Sequence, residues 1–274
     1  MLYPKRSLLK RIFVLTLIII ASLSLRVMPG FADTPPDNVA KALIAAEGSN
    51  DVNAAVALFA PDAVVTLPTG VLDTPDKIKG WQQELAAGHF RIEALKMKVD
   101  GNNVSWTGTI SLDLFRSMGI ASLGGNWALV INNGKVKTFN FSWTPDAGNM
   151  LQAGGAAAAI IAAESAHDVK AAVAAFAPDA VVTLPTGVLD TPAKIQAWQQ
   201  ELAAGNFRIE PEGVHVNGNT VSWSGEIGLD TFRKMGIASL GGNWVLVVKD
   251  GKIETFNFSW TPDAAKTLQS PPTS

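Results

Sequence analysis

The residues of this chain that could do acid–base chemistry are two carboxylates, each followed by an arginine three residues later. Asp113 and Arg116 lie in LDLFRSMG, and Asp230 and Arg233 lie in LDTFRKMG. Side chains three residues apart meet on a helical turn. One interpretation makes Asp113 and Asp230 catalytic acids at the rim of a pocket. The other is a surface ion pair worth under about 1 kcal/mol. An arginine neighbour lowers the pKa of a carboxyl, whereas a general acid needs it raised, so the ion pair is favoured.

Aromatic side chains and nearby amides form a second candidate site. All eight tryptophans occur in pairs that are 117 residues apart. The rings either fill a solid core or line a cavity for a flat apolar ligand, with asparagines as polar contacts. Both interpretations remain open. The residues predicted to bind such a ligand are Trp81, Trp106, Asn126, Trp127, Asn140, Phe141 and Trp143, with their partners Trp198, Trp223, Asn243, Trp244, Asn257, Phe258 and Trp260.

Metal ligands are not grouped in the sequence. None of the three histidines, His89, His167 and His215, has a histidine 117 residues away, and the chain contains no cysteine. A metal site would need histidines, cysteines or carboxylates at ligand spacing, which the sequence does not offer. We therefore expect surface histidines, no metal site and no cofactor.

A long internal repeat explains the matched positions. Residues 51–146 align with 168–263 at a constant offset, and 72 of the 96 aligned pairs are identical. A period of this length is a whole domain rather than a solenoid unit. We predict a first repeat at 33–146 and a second at 156–264. Three glycines that follow Pro145 and Asp146 predict a linker at 147–155, and the segment 265–274 is expected to be a disordered tail.

Hydrophobic periodicity predicts the elements of each repeat. Apolar residues at i, i+3, i+4 and i+7 from Val52 indicate a helix, residues 63–67 a short strand, and Thr74-Pro75 the start of another helix. Further along, the period changes to two, and the pairs Asp100-Gly101 and Asn133-Gly134 predict hairpin turns. Helices followed by a meander of about four antiparallel strands predict an α+β fold.

One predicted strand suggests how the repeats pack. Residues Trp127 to Ile131 are apolar at nearly every position, so both faces of the strand are apolar. An uncovered sheet of this kind would expose a large apolar patch. We therefore expect the two repeats to form an intramolecular pseudo-dimer through their sheets.

The first 32 residues have the pattern of a secretory signal peptide. Basic residues precede an apolar run from Ile12 to Leu25, and small residues at Gly30 and Ala32 fit cleavage after Ala32. We expect an exported protein, periplasmic or extracellular. The run is shorter than the roughly 20 residues of a spanning helix. A retained anchor is the alternative, and no membrane association is expected after cleavage.

The charge balance excludes one class of partner. Cleavage after Ala32 would leave 17 Lys+Arg against 24 Asp+Glu, a net charge of −7. Nucleic-acid binding requires clustered cations to neutralise phosphates, and no basic stripe remains. We expect no nucleic-acid partner.

The segments LFAPDAVVTLP and WALVINNGKV, within this order of elements, resemble the nuclear-transport-factor-2-like superfamily, and its SnoaL-like branch in particular. The resemblance covers both repeats. It implies two tandem cone-shaped α+β barrels, each with N-terminal helices and a curved antiparallel sheet around an apolar pocket. Members include ketosteroid isomerases, polyketide cyclases, epoxide hydrolases and proteins without catalysis. The fold alone therefore does not give the function.

The catalytic sets that the resemblance implies are incomplete here. The isomerase base is an aspartate before the proline that ends the first strand, and that position is Leu67 or Leu184. The isomerases and hydrolases also use a tyrosine, and the only one here is Tyr3. The acidic pocket residue of the cyclases leaves Asp113 and Asp230 as candidates.

Three functions remain open at this point. The leading one is a non-catalytic module that binds a small apolar ligand or a partner protein, which needs only a cavity. The second is an isomerase or polyketide-cyclase-like enzyme, which needs an ionisable group inside that cavity. The third is a structural cell-envelope protein with filled cones.

Overall fold

The structure, a computed structural model, describes residues 34–269 as two repeats with the same succession of helices and strands. The predicted signal peptide lies outside the described residues. The first repeat consists of α1 (Pro36–Gly48), α2 (Val52–Ala57), β1 (Phe59–Leu67), β2 (Gly70–Leu72), α3 (Pro75–Ala87), β3 (Arg91–Asp100), β4 (Asn103–Ser111), α4 (Asp113–Ser117), β5 (Leu123–Asn132) and β6 (Lys135–Trp143).

The second repeat follows without a break. It consists of α5 (Pro145–Ser165), α6 (Val169–Ala174), β7 (Phe176–Leu184), β8 (Gly187–Leu189), α7 (Pro192–Ala204), β9 (Arg208–Asn217), β10 (Thr220–Gly228), α8 (Asp230–Lys234), β11 (Leu240–Lys249), β12 (Lys252–Trp260) and α9 (Pro262–Gln269).

The helix starts follow the capping rules used for the prediction. The side chain of Asp51 accepts a hydrogen bond of 3.0 Å from the backbone N–H of Ala54 at the start of α2. Thr74 does the same for Lys77 at the start of α3, where Pro75 occupies the first position. These side chains satisfy backbone donors that have no partner within the helix.

Each repeat contains one six-stranded sheet, in the order β2-β1-β6-β5-β4-β3 and β8-β7-β12-β11-β10-β9. Strands β3 to β6 form the predicted antiparallel meander, and the α+β fold is confirmed. The parallel pairing of β1 with β6, at Val65 opposite Phe139, is a long-range contact that local patterns do not reveal.

Strand β3 has a β-bulge where it pairs with β4. The register shifts between Leu95 and Lys98, and Gly108 lies opposite Ala94. A Cβ at Gly108 would lie 2.2 Å from the carbonyl oxygen of Glu93, so this close approach requires glycine. A β-bulge beside a glycine bends the strand and increases its twist, which produces the cone.

Only the inner face of β5 is fully covered, contrary to the expectation for this strand. Trp127 and Leu129 are buried, whereas Ala128 is exposed and Val130 is half-buried. Contacts between the repeats include those of the α4–β5 loop with β9 and with α5. The backbone N–H of Val216 donates to the carbonyl oxygen of Gly119 at 3.2 Å. This differs from the sheet-to-sheet packing that the sequence predicts.

The segment predicted as a linker, 147–155, lies inside helix α5. The Thr144 side chain accepts a hydrogen bond of 3.3 Å from the Ala147 N–H, and Pro145 begins the helix. Residues after Gly155 are mostly alanines, which favour helix and offset the glycines. Residues 265–269 of the predicted disordered tail are likewise helical, in α9. Residues 270–274 lie outside the described residues.

No helix within residues 34–269 is long and apolar enough to cross a membrane.

Candidate functional site

Each repeat contains a cavity between the inner face of its sheet and its helices. The cavity of the first repeat has a volume of about 420 Å³. It is lined by Glu47 of α1, residues 67–69 at the end of β1, three residues of α3, and side chains of β4, β5, β6 and α4. The exposed side chain of Leu114 lies at its mouth. The matching cavity of the second repeat measures about 220 Å³.

The walls of the first cavity are aromatic. The ring centres of Trp127 and Phe141 are 5.0 Å apart. Those of Phe141 and Trp143 are 4.7 Å apart, and these two rings meet edge to face. Across the cavity, Trp81 contacts Phe139 at 5.3 Å. Such pairs favour fixed ring orientations, so the walls are held in place. The second cavity repeats these contacts with the residues 117 positions later.

A buried carboxyl group lies inside each cavity. Glu47 is 4% exposed and Glu164 is 6% exposed, and both line the cavity of their repeat. Nε2 of Gln82 donates a hydrogen bond of 2.8 Å to Oε1 of Glu47, and Gln199 does the same for Glu164. The two glutamines are themselves buried. Each cavity therefore combines apolar walls with one buried carboxyl group, and a buried amide outside the lining donates a hydrogen bond to that carboxyl.

Burial changes the acidity of both glutamates. Removal from water disfavours the ionised form, and the hydrogen bond from Gln82 opposes this only in part. The pKa of Glu47 rises to about 7 as a result, and that of Glu164 rises to about 7 for the same reason. Near neutral pH both protonation states are populated, so each group can give or accept a proton.

The two aspartates singled out in the sequence lie at the surface instead. Asp113 begins α4, its side chain is 51% exposed, and it lines neither cavity. Nδ1 of His89 lies 2.5 Å from Oδ2, and Arg116 pairs with Oδ1. These partners lower the pKa of the Asp113 carboxyl, the hydrogen bond to His89 contributing most. In the second repeat, Asn206 and Arg233 lower the pKa of Asp230.

The family of the chain follows from its two halves. A model of the SnoaL-like domain matches residues 40–139 and again residues 157–256. The chain belongs to the SnoaL-like domain family. Each match covers most of one repeat, from within its first helix into its last strand.

Several solved structures are similar to about two fifths of this chain, the length of one repeat. A putative polyketide cyclase from Sinorhizobium meliloti is 22% identical, with a TM-score of 0.35, and the match covers 41% of this chain and 98% of that one. A putative ketosteroid isomerase from Kribbella flavida is 18% identical, with a TM-score of 0.35 and coverage of 40% and 77%.

An NTF2-like protein of unknown function from Cytophaga hutchinsonii is 14% identical, with a TM-score of 0.35 and coverage of 40% and 91%. No curated protein matches the chain. At these identities the similarity concerns the fold alone.

The structure brings together part of the predicted aromatic site in each SnoaL-like repeat. Trp81, Trp127, Phe141 and Trp143 line the first cavity, and Trp198, Trp244, Phe258 and Trp260 line the second. Trp106 does not line the cavity. It stacks behind Trp127 at 5.6 Å, and its buried indole N–H has no hydrogen-bond partner among the described residues. Trp223 repeats this arrangement behind Trp244.

The predicted polar contacts are not in the SnoaL-like cavities. Asn126 and Asn140 point to the opposite face of the sheet, because each alternates with an inward-facing aromatic residue. Asn243 and Asn257 are exposed in the second repeat for the same reason. The buried polar group that lines each cavity is instead Glu47 or Glu164, and neither is among the residues predicted from the sequence.

A signal for Glu47 is nonetheless present in the sequence. The buried positions of α1 are Val39, Ala40, Leu43, Ala46 and Glu47. The glutamate thus occupies the apolar stripe of an amphipathic helix, where a charged residue is rare unless it has a partner. Gln82 interrupts the stripe of α3 in the same way, four residues after Ile78. A polar residue in the apolar stripe of each of two helices indicates that the two side chains are buried and bonded to each other.

Metal binding has no structural counterpart within residues 34–269, where no three His, Cys, Asp or Glu side chains are grouped to hold an ion.

Proposed function

We propose that each SnoaL-like repeat binds one small, flat, apolar molecule in its cavity. The observation that carries this proposal is the cavity of about 420 Å³ in the first repeat, which is lined by three tryptophans and by the buried carboxyl group of Glu47. Ligand pockets are commonly concave and apolar, with a few polar groups that fix orientation. The second repeat has the same aromatic walls and the corresponding buried carboxyl group of Glu164, so two molecules per chain are expected.

Export is part of this proposal. The basic and apolar N-terminal pattern supports secretion with cleavage after Ala32, which places ligand binding in the periplasm or outside the cell. N-terminal sequencing of the exported protein tests it, and a chain that retains Ile12 to Leu25 would contradict it.

Binding can be measured with a neutral naphthalene dye whose emission increases in apolar surroundings, 6-propionyl-2-dimethylaminonaphthalene. We expect saturable enhancement with up to two sites per chain. Leu112→Trp should remove the first site by filling its cavity, and Leu229→Trp should remove the second, since both leucines line the walls. Val71→Trp is the control, because Val71 is exposed on β2 and lines neither cavity. Equal dye binding by all four proteins would contradict the proposal.

A second candidate function is proton transfer, as in an isomerase or a polyketide-cyclase-like enzyme. The specific observation is the position of Glu47, a carboxyl group with a pKa of about 7 inside an apolar cavity. A general base is most effective when its pKa is near the working pH, and positioned bases contribute about 10²–10⁴-fold.

Hydrogen exchange tests this second candidate. In D₂O at pH 7, the protein should accelerate deuterium uptake next to the carbonyl of 2-tetralone, a small flat ketone. The variant Glu47→Gln/Glu164→Gln should lose about a hundredfold of that acceleration. Asp113→Asn/Asp230→Asn should retain it, because these carboxylates are outside the cavities. Exchange no faster than in buffer leaves binding as the function.

A further inference from the structure

We infer that the cavity ligand is a cation, an apolar molecule that carries an ammonium group close to Glu47 or Glu164. The inference rests on the proposed binding function and narrows its ligand class. Three independent features of the cavities support it: the sign of their charge, the geometry of their rings and the pairing of their glutamates.

The charged side chains that line the cavities are all acidic. They are Glu47 and Glu84 in the first repeat and Glu164 in the second, and no Lys, Arg or His is among the described lining residues of either cavity. An anionic ligand would therefore meet only like charge, whereas a cation would be attracted in the low dielectric of an apolar cavity.

The cavity walls are rich in the type of aromatic ring that binds cations. Phe141 and Trp143 meet edge to face, with 83° between their planes, and Trp81 and Phe139 meet at 65°. Seven aromatic rings line the first cavity, so a ligand inside it lies beside several of them. A cation over the face of tryptophan or phenylalanine within about 6 Å of the ring centre is attracted by the ring quadrupole, and groups of such rings are used to bind quaternary ammonium ions.

The buried glutamates lack a charged partner in the described residues. The hydrogen-bond partner of Glu47 is the neutral amide of Gln82, and that of Glu164 is Gln199. Buried carboxylates in proteins are usually paired with a cation, because an unpaired charge away from water is unfavourable. A ligand ammonium would supply the missing charge. A neutral ligand would leave the ionised carboxylate uncompensated.

Phenyltrimethylammonium and tert-butylbenzene form a matched pair of probes for this inference. They have nearly the same shape, and only the first is charged at every pH. Both can be measured by displacement of the naphthalene dye at pH 8. We expect phenyltrimethylammonium to bind at least about tenfold more tightly than tert-butylbenzene, from the combined cation–π and charge-pair interactions.

Substitutions separate the contribution of the glutamates. Glu47→Gln/Glu164→Gln keeps the shape of the side chain and the hydrogen bond from Gln82. It should reduce the preference for phenyltrimethylammonium over tert-butylbenzene to about threefold or less, without weakening the binding of tert-butylbenzene. Asp113→Asn/Asp230→Asn is the control for general surface charge, since these two carboxylates lie at the surface and line neither cavity. It should retain most of the preference.

The outcomes distinguish this inference from the proposed function. Dye binding with equal displacement by the two probes would overturn the ammonium inference and leave the binding function intact. A preference that survives Glu47→Gln/Glu164→Gln unchanged would overturn the role of the glutamates. Absence of dye binding would instead contradict the proposed function itself.

Discussion

The difference in unfolding free energy between the variant Glu47→Gln and the unchanged protein should rise by about 3 kcal/mol in favour of the variant when the pH is raised from 4.5 to 8. Burial raises the pKa of the Glu47 carboxyl from its ordinary 4.5 to about 7 in the folded protein. A difference of this size in pKa corresponds to about 3 kcal/mol of linked stability. The Glu164→Gln variant should behave in the same way, because its pKa rises equally.

The direction in which stability changes with pH follows from which state, folded or unfolded, holds the proton of Glu47. Between pH 4.5 and 7 the folded protein keeps the proton on Glu47 while the unfolded chain releases it, so stability declines as the pH rises. The decline is complete above pH 7, where both states are ionised. Glutamine cannot ionise and removes this decline, while its Oε1 can still accept the hydrogen bond from Gln82.

Urea denaturation at both pH values measures the effect, and the quantity of interest is the change in the difference between variant and unchanged protein. Effects of all other titrating groups cancel in this comparison. Glu84→Gln is the matched control, and it should change stability little at either pH because its side chain is in water. A Glu47→Gln difference that is the same at pH 4.5 and pH 8 would show that the carboxyl is not desolvated.

Gly119→Ala should destabilise the protein by about 3 kcal/mol or more, because it disrupts the contact between the repeats. Gly119 has a φ of 77°, and a Cβ there would lie 2.4 Å from the carbonyl oxygen of Val214 in β9. Backbone atoms must move to relieve such a contact. The contact also buries Val216, which is 3% exposed, whereas its counterpart Val99 is 49% exposed.

Gly236→Ala is the internal control for this prediction. Gly236 is the counterpart of Gly119 and has the same φ of 77°, but among the described residues no atom lies within 4 Å of the position that its Cβ would take. The variant should be destabilised only by the backbone strain of alanine at this φ, which costs about 1–2 kcal/mol. Denaturation of both variants separates strain from the interface. Equal losses would mean that the repeats do not hold each other through this loop.

Local rules explain which parts of the fold could be predicted from the sequence. The duplication, the helix caps at Asp51 and Thr74 and the meander after α3 depend on neighbouring residues and were predictable. The pairing of β1 with β6 depends on residues more than 70 positions apart. The helix through 147–155 is not apparent because its glycines are typical of a linker, and packing beside Ile120 overrides their weak helix propensity.

The candidate site was predictable only in its aromatic half. Tryptophans stand out by type and by pairing, and four of the seven residues predicted in each repeat line a cavity. Glutamate is a common residue, so its type alone does not single out Glu47 or Glu164. Their importance arises from burial, which depends on the tertiary fold. The prediction for the asparagines is wrong because alternation along a strand shows that two sets of residues face opposite ways, not which set faces inward.

The continuous helix α5 makes the two repeats a single mechanical unit. Its first part packs on β5 and β6 of the first repeat, and its later part packs on β9, β10 and β11 of the second. The rotational phase between the repeats is therefore set by the number of residues in one helix. One inserted residue would turn the second repeat by about 100° and shift it by about 1.5 Å. In proteins whose tandem domains are joined by flexible tethers, the orientation of the domains varies. In this chain, the length of one helix sets the orientation of the two cavities relative to each other.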